Sequence, residues 1–304
     1  MSLLLTPPNS GEKPIPFDEL VAKVKAELPE TLPRDLNEIL IALDVDGTIL
    51  LPEGASNRVL DAFHTLNESG ATVVIATGRG TEGVRPVWRH LQADSGWSVC
   101  SNGAVAAHWN PTFDDGVEII RTHTFNPAPV IDRLCEAMPD VYLGVEVHKG
   151  FLISRTFPGS VFFEDTWVRD VAELRETDTP RLVAMAEDMN IVEFESSLKD
   201  MGIGDIAQYA VGWTTWVDIG PKGCTKATGL QDLVDELGIA PHATIAVGDG
   251  MNDIEMLTWA AHGVAMGSAL PEVRRAANAV TGSVENDGAA AVMCALVERS
   301  KERA

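Results

Sequence analysis

The sharpest change of texture along the chain falls at Ile39, where a stretch rich in Pro, Glu and Lys gives way to the nearly unbroken apolar run Ile-Leu-Ile-Ala-Leu-Asp-Val. A run without polar alternation marks a strand covered on both faces. Similar runs recur at Ala71 to Ala76, Trp97 to Cys100 and Thr244 to Val247, with shorter candidates at Gly263 to Met266 and Ala279 to Thr281. Between them the apolar spacing turns helical. Asn57 to Ser69 sets Val59, Phe63 and Leu66 on one side and stops at Gly70, and Thr225 to Leu237 gathers Leu230, Leu233, Val234 and Leu237 before Gly238. Strand followed by helix, repeated, predicts an α/β fold with a doubly wound parallel sheet.

From His108 to Gly212 the rhythm differs. Strand patterns at Val117 to Phe125, Tyr142 to His148, Phe151 to Arg155, Arg181 to Met185 and Ile206 to Val211 surround two helical stretches, Ala128 to Ala137 and Met189 to Met201. A short Lys149-Gly150 turn between two strands requires antiparallel pairing. The expected organisation is an N-terminal extension over 1–36 with one helix near Phe17 to Leu28, a core from 37–107 and 213–304, and an inserted α+β lobe over 108–212. The insertion is long enough to own a core.

Composition narrows what such a fold can serve. With 304 residues and 45% hydrophobic content the chain can bury two cores. Its 45 acidic against 23 basic residues, a net charge of −22, argue against nucleic acid and anionic membranes as partners. The same field repels phosphorylated metabolites, so a phosphate site here must gather positive charge locally from a metal, a lysine and backbone N–H groups. Cys100, Cys135, Cys224 and Cys294 form no C-x-x-C pair and read as reduced thiols. Leu3, Leu4 and Leu5 precede Pro7 and Pro8 without a basic lead, so neither a signal peptide nor a membrane anchor is expected, and a cytoplasmic location is the default.

Four segments carry candidate chemistry. Asp44-Val45-Asp46-Gly47-Thr48 follows the first strand, and ligands of open parallel sheets bind beyond strand carboxyl ends. Ala76-Thr77-Gly78-Arg79 follows the second, offering a hydroxyl and an unobstructed N–H to a phosphate oxygen. Lys226 sits in the first turn of a helix, against the macrodipole, which suggests a nearby anion; Lys222 competes but lies before Gly223, outside the helix. Gly248-Asp249-Gly250-Met251-Asn252-Asp253 follows a third strand and places two carboxylates about one turn apart. Each segment alone has an ordinary alternative: a solvated turn, a strand-to-loop transition, a solvated lysine or an acidic helix start.

Together and in this order, the four resemble the motifs of the haloacid dehalogenase superfamily. The large insertion between Thr77 and Lys226, with Thr77-Gly78-Arg79 and Ser101-Asn102-Gly103-Ala104, resembles the Cof-type branch with a class II (IIB) cap. The resemblance implies a phosphate-monoester hydrolase acting on a small phosphorylated metabolite, with a sugar phosphate expected. Asp44 would be the nucleophile that forms an aspartyl phosphate, and Asp46 the general acid and base. Lys226 would screen charge, while Thr77, Gly78 and Asn252 hold the phosphoryl group. Mg²⁺ would be bound by Asp44, the backbone carbonyl of Asp46, and Asp249, with Asp253 ligating or orienting its waters. Arg79 and Asn102 are possible substrate contacts, though an arginine at a helix start equally makes surface ion pairs. Glu146, His148, Lys149 and Arg155 flank a cap hairpin whose ordinary reading is a solvated edge, and Trp213 and Trp216 read as packing or hinge residues. Alternatives within reach of the same motifs are a sugar phosphomutase and a non-catalytic sensor of a phosphorylated ligand.

Overall fold

The computed structural model describes residues 15–52, 54–159, 165–212 and 214–302. The leucines before Pro7 and residue Trp213 lie outside the described residues. Among the described residues five strands precede the cap sheet: β1 (Leu40–Leu43), β2 (Thr72–Ala76), β3 (Gly96–Cys100), β4 (Val105–Trp109) and β5 (Val117–Thr122). The cap sheet is built from β6 (Tyr142–Val147), β7 (Gly150–Ile153), β8 (Asp165–Val168), β9 (Leu182–Met185), β10 (Gln208–Val211) and β11 (Trp216–Gly220). The chain then returns with β12 (Thr244–Gly248), β13 (His262–Ala265) and β14 (Ala279–Val280).

The core sheet has the order β14-β13-β12-β1-β2-β3-β4-β5 and is parallel from β14 to β3. Successive residues of one strand serve opposite faces, as the pleat requires. Ile41 and Leu43 of β1 pack with Val59, Phe63, Val84 and Val292 from the helices on one side, whereas Leu40 and Ala42 pack with Leu230, Leu233 and Met256 on the other. That is the double winding expected from runs with no polar alternation.

The sheets divide the chain differently from a 108–212 insertion. β4 and β5 are antiparallel additions to the core sheet, because the links after β3 (101–104) and after β4 (110–116) are too short for a parallel crossover. β11, after residue 213, belongs to the cap sheet, whose order is β10-β11-β9-β6-β7-β8. The sequence pattern identifies strands well but says little about which sheet a lone strand joins.

The cap sheet is mixed, antiparallel except where β7 meets β8. Helices Ala128–Ala137 and Ile191–Asp200 cover one face through Val130, Ile131, Leu134, Phe194 and Leu198. Among the described residues the opposite face carries a smaller apolar cluster around Phe151, Ile153, Phe157 and Val183. By strand alternation, that less covered face also carries Glu146, Arg181 and Asp218.

The expected N-terminal helix spans Phe17–Glu27, and its Leu20, Val21 and Val24 are buried in the core cluster against the Gly288–Lys301 helix. Arg299 of that last helix donates to the carbonyls of Pro29 and Leu32, which ties down the chain entering β1. No helix among the described residues is long and apolar enough to cross a membrane.

Candidate active site

Register brings the motifs together. Leu43 is level with Val247 on one side and Ile75 on the other, so Asp44, Gly248 and Ala76 leave the sheet side by side at its carboxyl edge. The Asp44 N–H still donates to the Val247 carbonyl at 2.9 Å, which fixes where the carboxylate begins. Gly47 then turns the chain at φ +92°, and a Cβ there would come within 2.5 Å of an Asp249 carboxylate oxygen. Only glycine allows this loop to lie against Asp249.

Lys226 reaches into the cluster from the first turn of its helix. Its ammonium is fully buried and donates to Asp44 Oδ1 and Asp253 Oδ1, both at 2.6 Å. The other Asp253 oxygen accepts the backbone N–H groups of Asp249 and Gly250 at 2.9 and 2.8 Å. Thr48 donates its hydroxyl to Asp249 Oδ1 at 3.1 Å. Lys222, the sequence competitor, instead reaches the Asp205 carbonyl.

One ammonium therefore faces three buried carboxylates, Asp44, Asp249 and Asp253, whose ligand atoms lie within 4.8 Å of one another. Burial pushes the Asp44 carboxyl up from 3.8 to about 6; Asp253 adds to the rise and Lys226 opposes it. Burial, then Asp44 and Asp253, likewise hold Asp249 well above the usual carboxylate range. Burial works against the Lys226 charge, but Asp253 and Asp44 keep it above the ordinary lysine value. This excess of buried negative charge, presented by oxygen donors alone, suits a hard divalent cation such as Mg²⁺. Asp44 and Asp249 are the better placed donors, because three hydrogen bonds already fix Asp253.

The side chain of Asp46 does not join this cluster. It is half exposed and forms a bidentate pair with Arg79, at 2.9 Å from Nε and 2.5 Å from Nη2. Arg79, read from sequence as a possible substrate contact, thus grips the second carboxylate of the first motif. Thr77 is buried, and its Oγ1 accepts the Arg79 N–H at 3.2 Å. Asn252 donates its amide to Asn102 Oδ1 at 2.9 Å, and Asn102 packs over Gly78. The loop after β3 is unusual: Ser101 and Asn102 have φ of 50° and 52°, and Gly103 follows at 103°. Consecutive left-handed residues that are not glycine are held against strain by their surroundings. Here that conformation directs the Ser101 and Asn102 N–H groups onto the carbonyls of Arg79 and Thr77, at 2.8 and 3.1 Å.

Sequence reasoning missed the cap's contribution. Glu146 and Arg181 are both buried and paired at 2.8 Å, where an exposed edge was the expected setting for Glu146. Lys149 pairs instead with Asp115, and Arg155 stacks over Tyr142 at 4.0 Å. Trp216 donates to Asp218 at 3.3 Å and packs near Phe157. Arg181, Asp218, Gln208 and Tyr209 of the cap face Lys226, Asp249 and Asn252 of the core across a cleft of about 410 Å³.

Residues 41–293 match the haloacid dehalogenase-like hydrolase family. The chain belongs to that family. Among curated relatives, the 5-amino-6-(5-phospho-D-ribitylamino)uracil phosphatase YitU of Bacillus subtilis is 31% identical over 270 residues, covering 83% of this chain and 94% of the relative. The HMP-PP phosphatase of Yersinia pestis is 27% identical over 241 residues, covering 78% and 86%. Of solved structures, the phosphatase BT1666 of Bacteroides thetaiotaomicron superposes with a TM-score of 0.68 at 28% identity, covering 88% of this chain and 97% of that one. The subclass IIB sugar phosphatase BT4131 shares the fold, with a TM-score of 0.68 at 22% identity over 84% and 98%. Within the haloacid dehalogenase-like hydrolases this chain is therefore a phosphatase, a phosphomonoester hydrolase.

Proposed function

We propose that the chain hydrolyses a phosphate monoester of a sugar or sugar-like polyol by passing its phosphoryl group through Asp44. The observation that carries this reading is the buried Asp44 carboxylate at the sheet edge, bonded to Lys226 and set beside Asp249 and Asp253. Mg²⁺, when held by Asp44, Asp249 and the Asp46 carbonyl, supplies positive charge that lowers the repulsion between a carboxylate and a phosphate dianion. An Asp44 oxygen attacks phosphorus in line with the ester oxygen, giving an aspartyl phosphate. Asp46 in its acid form protonates the departing alkoxide and then accepts a proton from the water that attacks the phosphoenzyme, which restores the Asp44 carboxylate and the Asp46 acid. Lys226 neutralises Asp44 between turnovers. The Thr77 hydroxyl, the Gly78 N–H and the Asn252 amide hold the phosphoryl oxygens as charge shifts among them.

Arg79 acts in this scheme by holding Asp46 beside the cleft, and its grip must loosen when Asp46 takes the proton it delivers. The cap side of the cleft presents Asp218, Gln208 and Tyr209, polar groups suited to hydroxyls on the leaving group. The ribitylamino phosphate named for the B. subtilis relative supports a polyol next to the phosphate. The test is phosphate release over a panel of sugar, polyol and heterocycle phosphates with Mg²⁺, comparing wild type with Asp44→Asn. Unchanged turnover in Asp44→Asn would remove the mechanism. Isomerised sugar phosphate in place of free phosphate would indicate a mutase.

A further inference from the structure

The strap Thr77-Gly78-Arg79 has three backbone carbonyls, and each accepts a hydrogen bond. Asn102 N–H serves Thr77 and Ser101 N–H serves Arg79, both from the core loop after β3. The middle carbonyl, Gly78, is held from the cap: Arg181 Nη1 donates to it at 2.5 Å. That guanidinium also donates through Nε to Glu146 Oε2 at 2.8 Å and lies 3.4 Å from Asp218 Oδ1. It sits above the Phe151 ring at 5.1 Å. Glu146 Oε2 in turn accepts the Ser101 hydroxyl at 2.7 Å. Two buried cap charges thus touch both core loops that would face a phosphate.

We propose that Arg181 is a positioning residue through which the seated cap completes the phosphate-binding strap; the proposal rests on the phosphatase reading of this site. The Gly78 carbonyl and the Arg79 N–H belong to one planar peptide. Fixing the carbonyl therefore fixes the N–H, which donates to Thr77 Oγ1. A hydroxyl that already accepts keeps its single proton to donate, and here that proton is directed toward phosphate. Withdrawal of the cap frees the Gly78 carbonyl to turn to water and releases the Thr77 hydroxyl from its set orientation. A buried ion pair is poor evidence of stabilisation, since desolvation offsets most of the attraction, and setting register is its better attested use. The register set here is that of cap against phosphate loop.

The test is the affinity of inorganic phosphate for the Mg²⁺-loaded full chain, read by calorimetry and as competitive inhibition of ester hydrolysis. The variants are Arg181→Met and the double variant Glu146→Gln with Arg181→Met. The double variant removes the Glu146 and Arg181 charges together, so neither member of the pair is left unpaired, and Asp218, which loses its Arg181 contact, keeps the Trp216 donor. Both are expected to weaken phosphate binding about tenfold, the loss that one charge-assisted hydrogen bond represents. KM should rise by a similar factor for p-nitrophenyl phosphate and for sugar phosphates alike, because the strap holds the group common to all of them. Wild-type phosphate affinity in the double variant, with only a lowered melting temperature, would reduce Arg181 to a structural role and overturn the proposal. A loss confined to one ester would make Arg181 a leaving-group contact and overturn it as well. If wild type itself neither binds phosphate nor releases it from any ester, the phosphatase reading falls and takes this proposal with it; wild-type turnover with unchanged phosphate affinity in the variants removes the coupling alone.

Discussion

The core and the cap each bury charge at their shared cleft, but in opposite ways. In the core, Lys226 is outnumbered by Asp44, Asp249 and Asp253, an imbalance that only a bound cation or a proton can relieve. In the cap, Glu146 and Arg181 pair one to one, and Nη1 of the same guanidinium turns to the Gly78 carbonyl and to Asp218. An unbalanced cluster is built for chemistry that moves charge, whereas a balanced pair fixes geometry. Changes in the core cluster should therefore abolish turnover on every ester, and changes in the cap should alter which ester is preferred. Arg181 is the exception argued above, a cap residue acting on the part every substrate shares.

The strongest test of that division is Asp44→Asn, expected to lower kcat at least about a thousandfold on all esters, since it removes the group that accepts the phosphoryl. Residual activity that varied widely between esters would break the comparison. Next is Lys226→Met. Removing the ammonium leaves Asp44 and Asp253 buried without their shared partner, so urea denaturation in metal-free buffer should show a loss of about 3 kcal/mol. Added Mg²⁺ should restore part of it. A variant as stable as wild type without metal would show that the cluster does not need this cation.

Asp46→Asn follows. It should lower kcat about a hundredfold or more on sugar phosphates, whose alkoxides need a proton to leave. On p-nitrophenyl phosphate the first step should survive, because nitrophenolate leaves unprotonated, so rapid mixing should show a burst of product before slow turnover.

These core residues were legible because each lies within a few residues of a strand end, and an unbroken apolar run announces a buried parallel strand. Once β1, β2 and β12 are recognised, adjacency at the sheet edge follows from topology, and Asp44, Thr77 and Asp249 come together without further information. Lys226 was legible through its helix start. The cap gave no comparable signal. Glu146 alternates with apolar neighbours on β6 as an exposed edge residue would, and nothing local shows that its partner, 35 positions later, comes from the residue just before β9. β5 was misplaced for a related reason: strand pattern is local, while sheet membership depends on the length of the connection before it. The grip of Arg79 on Asp46 spans 33 positions and is equally invisible in either motif alone.

Proton linkage gives a smaller effect, confined to the core. Asp44 titrates at about 6 in the folded chain against an ordinary 3.8, so folding favours its protonated form. Its contribution to metal-free stability is complete below the ordinary value and is lost as pH rises through about 6. Mg²⁺ needs the carboxylate, so its apparent affinity should fall with decreasing pH below about 6, by about tenfold per unit from Asp44 alone and more steeply where Asp249 also takes a proton. Calorimetric titration between pH 5 and 7.5 measures this directly, and a flat affinity would show that Asp44 is already ionised before metal binds.

The smallest expected effect lies in the cap and bears most directly on the comparison. Asp218 lines the cleft beside Arg181 and accepts from Trp216, so its carboxylate keeps capacity for a hydroxyl of the substrate. Asp218→Asn preserves the shape and an acceptor oxygen but replaces the other with a donor. The ratio of kcat/KM between a sugar phosphate and p-nitrophenyl phosphate should shift about threefold to tenfold, the net worth of one ordinary hydrogen bond, since Asn keeps an acceptor. An equal fall on both esters would instead mean that Asp218 acts through Arg181 on the phosphate strap. In that case the cap would lose its role as selector at this position, and the line between chemistry and selection would run through the cap itself.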